Sequence, residues 1–181
     1  MLKLILIFAI SVFVLPNANA QKYSEYEVKA AYLYNFIKFI QWPATAFETK
    51  DSEFVIGIYG YDPFKNTLKE VLANNTVQNR KLVIKYFKTP DEIKNCHLLF
   101  ISDVDEEELS IIIKKINKTP VLTVGNNIKN FCLLGGIINF TKQDAKHRFV
   151  INNNQAVNAN LKISSKLLFL AKTISDDEDK F

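Results

Sequence analysis

The chain has 181 residues, of which 23 are Lys or Arg and 19 are Asp or Glu, and its formal net charge is +4. This mild charge does not indicate nucleic-acid binding, because that function usually requires a clustered basic face, so we expect no nucleic-acid partner. The length suits one domain with one sizeable core.

The first twenty residues predict a signal peptide. Lys3 supplies a short positive region, and an apolar run extends from Leu4 to Leu15. Residues 18–20 read Ala-Asn-Ala, a small-x-small cleavage pattern, so we expect cleavage after Ala20. The run is short for a transmembrane helix. The mature chain is therefore expected outside the cytoplasm.

The stretch from Ser24 to Pro43 predicts the first helix. Ser24 and Glu27 have the spacing of a capping box, and Pro43 cannot continue a helix. The main buried face is expected to consist of Val28, Ala31, Tyr32, Asn35, Phe36, Phe39 and Ile40. A second apolar strip consists of Ala30, Leu33 and Ile37. Inside the main face, the amide of Asn35 would need hydrogen-bond partners and would hold a neighbouring loop.

Short apolar runs and helical patterns alternate along the rest of the chain. The predicted strands are residues 54–60, 81–87, 97–102, 120–125, 135–140 and 147–152. One helix is predicted to begin at Asp62, where Pro63 follows a good N-cap residue, and another at Asp105, ahead of three glutamates. A short helix is predicted over residues 127–134 and a long last helix over residues 154–174.

This alternation predicts the fold class. Strands that alternate with helices favour a single three-layer α/β domain, here residues 21–175, with a mostly parallel sheet of about six strands and helices on both faces. Only a short polar connection separates the last two strands, which predicts an antiparallel hairpin at the sheet edge. Residues 176–181 are expected to form an acidic, solvated tail.

One sequence motif has a family resemblance. Residues 31–43 read A-x-L-x-N-F-x-K-F-x-x-W-P, which resembles the opening motif of the YfiR family. Further stretches occur in the order that this family shows, at residues 96–102, 121–124, 135–140, 148–152 and 159–171. The motif residues to which we assign a structural role are Asn35, Phe36, Gly135, Gly136, Asn139, Phe140, Ser164 and Ser165.

The resemblance implies a regulatory function. YfiR-like proteins are small exported proteins with one α/β domain, and several bind an inner-membrane diguanylate cyclase from the periplasmic side. The resemblance thus implies a non-enzymatic periplasmic repressor of a diguanylate cyclase or sensor kinase. Aromatic anchors dominate binding hot spots, so we expect partner contacts in the last helix and in the first aromatic group, at Tyr32, Trp42, Pro43 and Phe47. A homodimer remains an open alternative.

A second hypothesis is a periplasmic small-molecule binding protein. Ligands of open α/β sheets bind at the carboxyl ends of the strands. The polar residues expected at those ends are Tyr61, Asp62, Asp103 and Asn126. A ligand held there could also coexist with a protein contact.

No catalytic set can be assembled from the sequence, so we expect neither an enzyme nor a cofactor. Asp103, Thr123 and Lys142 resemble the acid, hydroxyl and lysine of a phospho-receiver domain, but only Asp62 follows the first strand, where two acids are required. Residues 135–136 are both glycine and precede a strand, which favours a tight turn over a phosphate loop.

The two histidines and two cysteines are candidate metal ligands, and the two cysteines are also candidates for a disulfide. His97, His147, Cys96 and Cys132 lack the spacing of a zinc site, so no metal is expected. An exported protein with two cysteines can form a disulfide, and both cysteines are expected at the same end of the sheet. Pairing and two unpaired thiols are therefore both open.

Overall fold

The computed structural model describes residues 24–141 and 148–174. Within these residues there are five α-helices, namely α1 (Glu25–Phe39), α2 (Thr67–Leu72), α3 (Glu106–Lys115), α4 (Asn153–Asn158) and α5 (Ser165–Phe169). Two short 3-10 helices are Ala44–Ala46 and Pro90–Glu92. The strands are β1 (Ile40–Gln41), β2 (Phe54–Gly60), β3 (Thr76–Val77), β4 (Arg80–Phe87), β5 (Leu98–Ser102), β6 (Leu122–Asn126), β7 (Ile138–Phe140), β8 (Phe149–Asn152), β9 (Lys162–Ile163) and β10 (Lys172–Ile174).

The main sheet has eight strands in the order β10-β8-β7-β6-β5-β2-β4-β3. Its pairs are parallel except β7 with β8 and β3 with β4. The predicted class, a mostly parallel α/β fold with an antiparallel hairpin, is confirmed, but the sheet has more than six strands. The β7–β8 hairpin is not at the edge, because β10 pairs outside β8. A separate two-stranded antiparallel sheet joins β1 to β9.

The sheet separates two hydrophobic clusters, because successive strand residues point to opposite faces. In β5, Leu98 and Phe100 belong to the cluster beneath α1, α2, α4 and α5. Leu99 and Ile101 belong to the cluster beneath α3. Helices therefore cover both faces, as a three-layer domain requires.

Helix α1 begins as its sequence predicts. The Ser24 side chain accepts a hydrogen bond from the Glu27 amide, and the Glu27 carboxylate accepts one from the Ser24 amide, which completes the capping box. The buried residues of α1 are Lys29, Ala30, Leu33, Phe36 and Ile37. The core face thus consists of the predicted second strip together with Phe36 and Ile40 of the predicted main face. The prediction that Asn35 is buried is wrong, because its side chain is exposed.

Helix α3 also begins as predicted, whereas α2 begins later. The Asp105 side chain caps α3 by accepting from the Glu108 amide at 2.8 Å. The Asp62 carboxylate accepts from the Phe64 amide at 2.8 Å, but this turn does not lead directly into a helix. Helix α2 starts only at Thr67 because Lys65 has a φ of 53°, a left-handed conformation that interrupts helix growth.

Two predicted helices are wrong. The predicted last helix over residues 154–174 is instead α4, β9, α5 and β10, with Asn160 at a φ of 56° after α4 and Ser164 as the N-cap of α5. Residues 127–134 form turns without a helix, with Asn127 and Asn130 in left-handed conformation. Asn adopts this conformation more readily than most residues, so it breaks helical patterns. Among the described residues, none of the helices has the length and hydropathy needed to cross a membrane.

Candidate interaction surfaces

The structure places Trp42 in the core. Its side chain is 8% exposed, its Nε1 donates to the carbonyl oxygen of His97 at 3.2 Å, and its ring meets Phe54 edge-to-face at a centroid distance of 4.9 Å. These contacts fasten the chain after α1 to the sheet. Trp42 therefore offers a partner little surface, although it was predicted as a contact residue.

Phe47 packs against the side chains of His97 and Arg80. Its half-buried ring lies 4.5 Å from the His97 ring centroid, nearly parallel to it, and the Arg80 guanidinium carbon lies 3.8 Å from the Phe47 centroid. The His97 ring and the Arg80 guanidinium thus cover part of the Phe47 ring. Of the four predicted contact residues, Tyr32, Pro43 and Phe47 are half-buried, whereas Trp42 is buried.

Both ring nitrogens of His97 make hydrogen bonds to the backbone. Its Nδ1 accepts from the Val55 amide at 2.9 Å, so Nε2 carries the proton that is donated to the Ala46 carbonyl oxygen at 3.0 Å. Burial lowers the pKa of His97, and the nearby charges of Arg80 and Lys85 add to this effect. No cluster of three metal-ligating side chains exists among residues 24–141 and 148–174. His147 and Lys142 lie outside these ranges.

Three exposed apolar side chains lie at or just after the ends of α1 and α5. Phe169 is 87% exposed, Leu170 is 57% exposed and Phe39 is 36% exposed. The Ser164 amide donates to the Phe39 carbonyl oxygen at 3.0 Å, so α5 starts beside the end of α1. We call Phe39, Phe169 and Leu170 the C-terminal patch.

A groove of about 630 Å³ runs between α1 and α2. It contains four residues of the α1 face that is predicted to be buried, namely Val28, Ala31, Tyr32 and Asn35. We call it the α1–α2 groove, and its lining residues are Glu27, Val28, Ala31, Tyr32, Asn35, Thr67, Glu70 and Val71. Sequence reasoning missed it because it depends on which strip of α1 faces the core.

The strand-end cleft has a volume of about 560 Å³. Three of the four predicted residues, Tyr61, Asp103 and Asn126, line it, together with Ser102 and Lys129. The prediction fails for Asp62, whose carboxylate accepts from the Tyr86 hydroxyl at 3.0 Å and which does not line the cleft. The carboxyl ends of β5 and β6 therefore form a polar cleft, as the strand order requires.

A buried amine, not anticipated from the sequence, adjoins this cleft. Lys29 is 7% exposed, and its Nζ pairs with Glu25 and donates to Asn126 Oδ1 at 2.7 Å. The Asn126 amide nitrogen in turn donates to Ser102 Oγ at 3.0 Å. Lys29 therefore connects α1 to the ends of β5 and β6 and orients the Asn126 amide.

The motif residues of the C-terminal half have packing roles. The Asn139 side chain accepts from the Ile128 amide at 3.2 Å and donates to the Ile128 carbonyl oxygen at 2.7 Å, which holds the turns after β6. Gly135 has a φ of 102°, so the predicted tight turn is present. Phe131 packs against Gly136. Ser164 caps α5 by accepting from the Leu167 amide.

The two cysteines are unpaired and buried. Cys96 packs over Gly57 in β2, whereas the Cys132 carbonyl oxygen accepts from Asn152 in β8. Three strands lie between β2 and β8, so roughly 19 Å separates these two strands across the sheet. A disulfide requires Cα atoms within about 7 Å, so the disulfide alternative is wrong for this structure.

The comparison with protein-family models gives one match. The model described as YfiR/HmsC-like (DUF4154) matches residues 26–172, which include all five α-helices apart from the first residue of α1. No curated protein matches the chain. The family resemblance that was based on motifs is confirmed over most of the chain. This chain belongs to the YfiR/HmsC-like family.

Proposed function

We propose that this protein is a non-enzymatic periplasmic regulator. It binds the periplasmic domain of an inner-membrane signalling protein, a diguanylate cyclase or a sensor kinase, and holds that protein inactive. The observation that carries the proposal is the family match, which spans residues 26–172 and hence nearly the whole described domain. Export through the predicted leader would place the protein on the correct side of the inner membrane.

The C-terminal patch is the contact surface we propose. A large aromatic side chain that is 87% exposed, as Phe169 is, gains free energy when a partner covers it. Leu170, the next residue in sequence, and Phe39, at the end of the neighbouring helix α1, are also exposed. Tyr32 and Pro43 remain secondary candidates, whereas Trp42 is already buried against the sheet.

Affinity capture tests the function. The tagged mature protein is incubated with solubilised envelopes, and the recovered proteins are identified by mass spectrometry. We expect a membrane cyclase or sensor kinase to be recovered with the wild type and lost with Phe169→Asp. Cyclic di-GMP in cells that carry Phe169→Asp should rise if the partner is a cyclase. Recovery of neither class of protein would contradict the proposal.

Ile111→Asp is the matched control for this experiment. Ile111 is an apolar helical residue that is 51% exposed, and it lies on α3, on the opposite face of the sheet. The same chemical change there should leave capture intact. Equal loss with both variants would show a general effect of the new charge rather than a contact at the patch.

A second candidate function is small-molecule binding in the strand-end cleft. This function is favoured because Tyr61, Asp103 and Asn126 converge on a cleft of about 560 Å³. A screen of polar metabolites by thermal shift, with Asp103→Ala as the comparison, tests it. A ligand that raises the melting temperature of the wild type but not of Asp103→Ala would support this function.

Export itself is tested on the mature protein. Mass spectrometry of the protein from the periplasmic fraction should show an N-terminus at Gln21, since cleavage is expected after Ala20. An intact N-terminus at Met1 in the membrane fraction would contradict this part of the proposal.

A further inference from the structure

We propose that the α1–α2 groove is a second interaction site, which binds an amphipathic helix with apolar anchors and flanking Lys or Arg side chains. This inference is independent of the C-terminal patch and of the identity of the partner protein. It rests on the shape, the apolar floor and the charge of the groove.

The shape of the groove fits a helix. Its α1 side is formed by positions 27, 28, 31, 32 and 35, which fall at helical spacing on one face of α1. Residues 27 to 35 rise by about 12 Å along α1, slightly more than two helical turns. A helix that lies in a groove of this length places two or three anchors in it, at i, i+3 or i+4, and i+7.

The floor of the groove is apolar and accessible. Val28 and Val71 are half-buried and Ala31 is exposed, so the small side chain of Ala31 leaves room between the two helices. The core beneath is already complete, because Ala30, Leu33 and Ile37 are 0% exposed. Val71 packs in part against this core, and the part of the floor that stays exposed gains free energy when a partner covers it.

The rim of the groove is acidic. Glu27 and Glu70 line it, and none of the lining residues is Lys or Arg. Glu70 is exposed and forms no ion pair within the described residues. The whole chain is positively charged, at +4, so this acidic rim is a local feature rather than part of a general negative field. Cationic side chains beside the apolar anchors would complement it.

Two other occupants conflict with these charges. The chain's own tail, residues 176–181, contains four acids and one lysine, so the acidic rim would repel it. A second copy docked symmetrically would bring two acidic rims into one interface, and the lining residues include no Lys or Arg to offset them. Like charges that face each other across an interface are unfavourable. A cationic partner helix is the occupant that the groove chemistry favours.

A direct binding assay tests the inference without the natural partner. The probe is a fluorescein-labelled 18-residue peptide of Leu and Lys with its leucines on one helical face, titrated with the mature protein by anisotropy. One control peptide has every Lys replaced by Glu. A second has the same composition in an order that destroys the apolar face. We expect saturable binding of the first peptide alone.

Variants locate the binding site. Ala31→Arg places a cation and extra volume on the floor, and Glu70→Lys reverses one charge of the rim. Each should weaken binding by roughly tenfold, since like charges across an interface are strongly unfavourable. Glu107→Lys on α3 is the matched control, because Glu107 is also an exposed helical glutamate but lies on the opposite face. Arg and Lys are good helix formers, so the fold should be retained.

Three results would overturn the inference. The first is equal binding of the Leu-Lys peptide to wild type, Ala31→Arg and Glu70→Lys. The second is equal affinity for the acidic peptide. The third is dimerisation of the wild type that Ala31→Arg abolishes, since this would assign the groove to a second copy. Amide shifts confined to residues 27–35 and 67–71 during the peptide titration would support it.

Discussion

The indole Nε1 of Trp42 donates to the carbonyl oxygen of His97 at 3.2 Å, and this contact joins the chain after α1 to the start of β5. The two residues are 55 positions apart in sequence. Around them, the His97 ring contacts the rings of Phe47 and Phe54, at centroid distances of 4.5 Å and 4.9 Å. The aromatic end of the family motif is therefore a structural clamp, and this has measurable consequences for stability.

Two substitutions of Trp42 should destabilise the protein to different extents. Trp42→Phe retains an aromatic ring but removes the hydrogen bond, which should lower the free energy of unfolding by about 1 kcal/mol. Trp42→Ala also leaves a cavity and should cost about 3–5 kcal/mol. Urea denaturation measures both values. Tyr61→Phe is the control, since Tyr61 is 59% exposed. The free energy of unfolding of this variant should remain near that of wild type. A Trp42→Phe variant as stable as wild type would contradict the role of the hydrogen bond.

Stability should depend on pH through His97. Burial lowers the pKa of His97 in the folded protein, whereas the unfolded chain binds a proton near the ordinary value of about 6.5. The unfolded state therefore binds more protons between these two values, and stability falls as the pH falls below about 6.5. Protonation of Nδ1 would also displace the Val55 amide.

The measurement compares wild type with His97→Asn. The free energy of unfolding is determined by urea denaturation between pH 8 and pH 5 for both proteins. The carboxylates and His147 contribute to both curves, so the difference between them isolates His97. We expect the difference to narrow as the pH falls. A constant difference across this range would mean that His97 does not titrate differently on folding.

Asn139, rather than Asn35, should hold a loop. The Asn139 amide makes two hydrogen bonds to the backbone of Ile128, whereas the Asn35 side chain is exposed in the α1–α2 groove. Asn139→Ala should therefore cost about 1–3 kcal/mol, because it leaves backbone groups of Ile128 without these partners. Asn35→Ala should change stability by less than about 0.5 kcal/mol. Chemical denaturation of both variants measures this contrast, and similar losses would contradict it.

Both thiols should be unreactive in the native protein. Burial raises the pKa of Cys96 to about 12 and that of Cys132 to about 12, so neither forms a thiolate at neutral pH. The protein is purified without a reducing agent. We expect a thiol reagent such as DTNB to label the native protein slowly and the urea-unfolded protein rapidly, at two sites. Dithiothreitol should leave the melting temperature unchanged. A fall in melting temperature on reduction would indicate a disulfide.

The parts of the fold that follow from local rules could be predicted from the sequence. Ser24 with Glu27 and Asp105 ahead of α3 are capping signals, and 54–60 is an apolar run that matches β2. The segment 154–174 could not be predicted, because its elements have two to six residues and its buried Leu167 and Ala171 also fit a helical period. Short elements are defined by tertiary pairing rather than by periodicity.

The candidate sites also contain features that local rules predict and features that depend on tertiary packing. Asp103 and Asn126 were predicted together because strand ends converge in any parallel sheet. The burial of Lys29 could not be predicted, since it depends on the position of α1 relative to β6. The α1–α2 groove also depends on helix packing, because both strips of α1 are apolar and the sequence does not indicate which one faces the sheet.

Gly136 should be essential for packing rather than for a backbone angle. A Cβ at this position would lie 2.2 Å from Cε1 of the buried Phe131 ring, and Gly136 has no positive φ. Gly136→Ala should therefore destabilise the protein by about 1–3 kcal/mol through overpacking. The ring is enclosed, with Phe131 only 1% exposed, so it cannot move aside easily.

A double-mutant cycle separates this clash from other effects of the methyl group. Phe131→Leu removes the ring atoms that the new Cβ would meet, so adding Gly136→Ala to it should cost less than in the wild type. The expected coupling is roughly 0.5–3 kcal/mol, because the two residues are in direct contact. The four proteins are compared by urea denaturation under the same conditions. Additive costs would show that the clash with Phe131 does not determine the requirement for glycine at this position.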